Sequence, residues 1–111
     1  MDRIDQYRPI VRRIIAEQTE VQPALGNVEL VAVCDEASAN YLVLMLGWDG
    51  YDRVDAPLIH IRLKDDKVWL EEDNTDALIA DQLVEAGIPK EAIVLAFQHP
   101  SERAQTEYAT A

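Results

Sequence analysis

Carboxylates dominate the reactive side chains of this sequence: Asp and Glu supply 21 of 111 residues, Lys and Arg only 10. Several stand together, as Asp35–Glu36, Asp65–Asp66, Glu71–Glu72–Asp73 and Asp76. Paired acids can hold magnesium or exchange a proton with a substrate. These fall at turns and strand ends, however, where acids keep exposed edges hydrated and discourage edge pairing. His60, His99 and Cys34 show none of the paired spacings of zinc ligands. Cys34 lies in an apolar run and reads as a small hydrophobe. Ser38 and Ser101 sit outside any nucleophile-elbow or phosphate-loop pattern, and four glycines form no phosphate cradle. The residues therefore assign no catalytic, cofactor-binding or metal site, and the expected class is a non-enzyme with no cofactor. The alternative is a small acidic metal-dependent hydrolase using the turn carboxylates.

The net charge of −11 narrows the partners. Duplex binding relies on Lys and Arg displacing phosphate counterions, so direct nucleic-acid contact is not expected. An anionic membrane surface is disfavoured for the same reason, whereas a basic protein suits the charge. One cysteine leaves no internal disulfide framework. The polar start MDRIDQYRPI has no apolar signal core, and the longest hydrophobic stretch, residues 41–48, is far short of a membrane span. A cytoplasmic protein is expected.

The elements that would position these residues follow from periodicity. Ile4, Tyr7, Val11 and Ile14, widened by Ile10 and Ile15, make one stripe of an amphipathic helix. Asp2 or Asp5 can cap it. Pro9 requires that the helix begin near Asp5 or kink. Gln22, Pro23, Gly26 and Asn27 mark a loop. The runs 28–35, 40–49, 51–64 and 67–72 read as strands joined by turns too short for crossover helices, hence an antiparallel four-stranded meander. The second strand is apolar on both faces, which reads as central and covered on both sides. Asn74 or Thr75 would cap a second helix carrying Ile79, Ala80, Leu83 and Val84. Gly87, Ile88 and Pro89 would end it. Residues 89–92 suit one helical turn, and residues 93–97 a fifth strand or a buried extended segment. The whole is one α+β domain, residues 1–111, with an N-terminal helix, the meander, a C-terminal helix and an extended segment.

Alternation in the third strand sets Ile59, Ile61 and Leu63 on one face and Leu58, His60 and Arg62 on the other. In the fourth strand Val68 and Leu70 join the first face. Trp69 then lies beside His60 or Arg62. A Trp–Arg–His grouping suits a protein interface, so His60, Arg62 and Trp69 are the candidate contact residues and a homo-oligomer, most simply a dimer, is expected.

The order of segments carries a resemblance as well. LIHIRLKDDKVWLEEDNTDALIADQLVEAGIPKEAIVLAF, with YRPIVRRIIAE before it and Gly47–Trp48 between, resembles the XisI family, excision controlling factors of the fdxN element known chiefly from cyanobacteria. Pro100, Arg103 and Thr106 stand in that family's P-x-x-R-x-x-T arrangement. Pro9, Ala96 and Glu107 depart from its usual pattern. The resemblance implies an α+β fold and an accessory role beside a site-specific recombinase in programmed DNA-element excision, the setting of heterocyst differentiation. It also implies a partner, XisH, that resembles restriction-type endonucleases. Asp65, Asp66, Glu71, Glu72 and Asp73 are the acids expected to face such a basic partner.

Overall fold

The computed structural model describes residues 3–23 and 27–111. Asp2 and Gly26, read above as a cap and a loop residue, lie outside the described residues. The elements run α1 (Arg3–Glu17), β1 (Asn27–Asp35), β2 (Asn40–Asp49), β3 (Asp52–Lys64), β4 (Lys67–Asp73), α2 (Ile79–Glu85), a 3₁₀ turn (Lys90–Ala92), β5 (Ile93–Leu95) and α3 (Pro100–Arg103). All five strands join one sheet in sequence order.

The expected four-stranded antiparallel meander is corrected to a five-stranded mixed sheet. β1 to β4 pair antiparallel, while β5 pairs parallel with β4. The reason is connection length. Residues 74–92 separate β4 from β5 and hold α2 and the 3₁₀ turn, which is enough chain for a crossover to the same end of the sheet.

Tyr7, Val11, Ile14 and Ile15 of α1 are buried, as their spacing predicts. The helix begins at Arg3, so Pro9 falls well past the first turn. Pro9 is exposed, and the bond it cannot donate faces water instead of the core. With Tyr41, Val43, Ile59, Ile61, Leu63, Val68, Leu70 and Ile93 of the sheet and Ile79 and Leu83 of α2, these residues form one core cluster. Both longer helices therefore lie on the same sheet face.

Turn chemistry explains the hairpins. Asp65 and Asp66 both have positive φ, the two-residue β3–β4 loop that matches strand twist and that Asp tolerates. At Gly47 a Cβ would fall 1.7 Å from the Asn27 carbonyl oxygen, so only glycine lets β1 and β2 close at that end. After α2, Gly87 has φ of 112°. Ile88 N–H donates to Leu83 and Gly87 N–H to Val84, the paired bonds expected of a glycine-terminated helix. Neither Asn74 nor Thr75 caps α2. Leu78, with left-handed backbone, holds the cap position. Asp73 instead accepts hydrogen bonds from the N–H of Thr75 and Ile79 and from the Thr75 hydroxyl, so the carboxylate shapes the loop leading in.

An uncovered sheet face as the candidate interaction surface

Strand alternation leaves a second sheet face opposite the helices, and cross-strand register sets its side chains in rows. Asn40, Arg62 and Trp69 make the first row, and Val33, Leu42 and His60 the second. Val31, Leu44 and Pro57 follow, then Glu29, Leu46 and Asp55. Val31, Val33, Leu42, Leu44, Leu46 and Pro57 are half-buried and stand outside the core cluster. The two-sided apolarity of β2 is real, but its cover is one-sided: the reading of a strand covered on both faces is corrected. The physical reason is material. Both longer helices bury their apolar stripes against the same face, and among the described residues it is the short C-terminal segment that reaches the other, at Trp69.

One member of this face changes sides. Leu58 was expected beside His60 and Arg62, yet it packs against the core. The β2–β3 register skips from Val43↔Ile59 to Leu44↔Pro57, so Leu58 is the extra residue of a bulge. His60, Arg62 and Trp69 do share the open face, with Trp69 directly opposite Arg62.

Their polar atoms are largely engaged. His60 Nε2 is 2.8 Å from Asn40 Oδ1, and Arg62 Nε donates to Glu71 Oε2 at 3.0 Å. Trp69 Nε1 donates to the Lys64 carbonyl, and the Lys64 ammonium at 5.0 Å and the Arg103 guanidinium at 5.8 Å both lie over its ring. Trp69 is thus half-covered by its own chain.

Arg103 does more than stack. It donates to the carbonyls of Gln98, Ala96 and Thr110, so one side chain ties the C-terminal segment together. Pro100 starts α3, and the Thr106 hydroxyl donates to the Arg103 carbonyl. Ala109 then bridges to Val94, which is fully buried but outside the main core. The P-x-x-R-x-x-T spacing is therefore a structural clasp over the β4–β5 end of the open face. Periodicity could not find it, because the clasp bonds to carbonyls and not to an apolar stripe.

The candidate acids divide. Asp65 and Asp66 are exposed at the β3–β4 tip, Glu71 is bound to Arg62, Glu72 is half-buried opposite His60, and Asp73 is held by its loop. The Asp35–Glu36 pair is structural too. A hydrogen bond from Ser38 lowers the Asp35 pKa. The Tyr41 hydroxyl, donating at 2.9 Å, lowers that of Glu36, helped by Arg8 at 3.0 Å. Arg8 also donates to Tyr41, so this triad pins α1 to the β1–β2 turn. Cys34 is exposed at the end of β1 instead of packed away, and desolvation there raises its thiol pKa. Among the described residues no group of three or more His, Cys, Asp or Glu side chains could hold a metal ion, and no helix is long and apolar enough to cross a membrane.

Fold and surface together define a small single-sheet α+β protein with helices on one sheet face and an aliphatic surface on the other. The model of the XisI protein family matches residues 1–110, and the chain belongs to that family. It is similar to the crystal structure of a XisI-like protein from Anabaena variabilis ATCC 29413, with a TM-score of 0.91 and 31% identity over 97% of this chain and 99% of that one. The crystal structure of fdxN element excision controlling factor XisI from the same organism aligns with a TM-score of 0.86 and 37% identity, covering 99% of this chain and all of that one. No curated protein matches.

Proposed function

We propose that this chain is a non-enzymatic accessory factor that acts through protein contacts in DNA-element excision, with an XisH-like endonuclease-related protein as its partner. Membership of the XisI family and the likeness to an fdxN element excision controlling factor support the setting. The observation that carries the mode of action is the aliphatic face of β1–β3. Contiguous apolar surface on a small protein marks a place where another protein binds. The charge of −11 opposes phosphate contact and favours a basic partner that holds DNA itself. Asp65 and Asp66 are the acids best placed to steer that encounter, being exposed and without an ion pair among the described residues. Glu71 and Asp73 contribute to the field but not as free groups, while Glu72 is half-buried with no ion pair among the described residues.

The test is binding to the XisH-like protein across a salt series, followed by a gel shift with DNA alone. Affinity should fall as salt rises, and the chain alone should leave DNA unshifted. Salt-insensitive binding, or a tight complex between this chain and DNA, overturns the reading.

A further inference from the structure

We propose that the uncovered face pairs with the same face of a second copy, sheet on sheet, with the twofold axis between Leu42 and Leu44 and the two sets of strands running in opposite directions. The proposal rests on the reading of this face as a protein contact surface and names its first occupant.

The apolar rows are the starting point. Val33–Leu42 and Val31–Leu44–Pro57 are adjacent rows across three strands. A twofold axis between them lays each row on the other row of the second copy, so aliphatic surface meets aliphatic surface. Sheets pack this way at roughly 10 Å, with inner side chains interdigitating.

Charge then selects the direction. Asp55, beside Leu46, has no cation within ion-pair distance among the described residues. At the other end of the face Lys64 and Arg103 flank Trp69, also without a carboxylate in ion-pair range among the described residues. Reversed stacking carries the Asp55 row of one copy over the Arg62–Trp69 row of the other, beside Lys64. The opposite choice, strands parallel, would lay the Glu29–Leu46–Asp55 row on its own copy and set acid on acid. The reversed arrangement brings Glu29 of one copy towards Asp35 of the other, but both are exposed on the edge strand at the rim, where solvent screens them, whereas Asp55 gains cations.

Sedimentation equilibrium of the full chain should give twice the monomer mass at tens of micromolar. Leu44→Asp should raise the dimer dissociation constant by about 100-fold or more, as expected for a charge placed at the centre of an interface, with unchanged far-UV circular dichroism. Should that variant unfold, a second one decides. In a Cys34→Ser background, Leu44→Cys should be captured as a covalent dimer by a short bis-maleimide, and Tyr51→Cys, at the distant hairpin tip, should not. A monomer at 50 micromolar, a dimer that survives Leu44→Asp, or a dimer with no Leu44→Cys capture overturns the proposal. A monomer that still binds the XisH-like protein sinks the self-pairing and leaves the functional reading intact. The described dimer without that binding does the reverse.

Discussion

The two faces of one sheet have almost the same aliphatic composition and opposite fates. On the covered face, Tyr41, Val43, Ile59, Ile61, Val68 and Leu70 lie beneath two helices and are essentially inaccessible. On the open face, Val31, Val33, Leu42, Leu44 and Leu46 stay half-buried and, among the described residues, outside the core cluster. Burial thus depends less on the strand than on which way the helices turn their stripes. A chain of this length has helices enough for one face, and the aliphatic surface of the other stays half-buried.

The sharpest way to break this comparison is to make the same kind of deletion on each side. Ile61→Ala removes a fully buried side chain and should lower stability by about 2–5 kcal/mol, through lost transfer energy and the cavity left behind. Leu44→Ala should cost the isolated chain clearly less, about 1 kcal/mol, since part of that side chain is already in contact with water and no closed cavity is left behind. Urea denaturation at low protein concentration separates the two. Equal losses would mean that the faces are not different.

A second test concerns the one place where the chain does cover its open face. Arg103→Ala deletes three donors to carbonyls and should cost about 1–3 kcal/mol. It should also uncover Trp69, shifting its tryptophan emission to longer wavelength. Trp48 complicates that signal, so the measurement belongs in a Trp48→Phe background. An unchanged emission maximum would show that the clasp does not shield Trp69.

The smallest effect is a pH dependence on the covered side. Glu36 has a folded-state pKa lowered first by the Tyr41 hydrogen bond and then by Arg8. Its unfolded value is near 4.5, so the ionised group stabilises above that pH, and the contribution disappears as pH falls through the lower folded value. Glu36→Gln should therefore lower Tm slightly at pH 7 and flatten the decline of Tm between pH 5 and 3. A variant with the same acid slope as the parent would remove Glu36 from the explanation.

Local rules carried much of the architecture. The stripe of α1, the strand limits, the Gly87–Ile88 helix stop and the alternation that sets Trp69 beside Arg62 all follow from spacings of two to four residues. A resemblance spread along the chain then made the family legible, because its motifs include the turn and clasp residues. Each of these is a short-range constraint, readable wherever the chain happens to go.

Other features depend on where distant segments meet. The direction of β5, the bulge that turns Leu58 inward and the commitment of both helices to one sheet face were settled by tertiary packing. So was the division of the acids: Glu71 finds Arg62 across a strand pair, Asp73 finds its own loop, and Asp65 and Asp66 stay free at a tip. An aliphatic strand shows the same pattern of residues whether its second face is roofed or bare. Roofing requires material from elsewhere in the chain, and only the folded arrangement determines where that material goes.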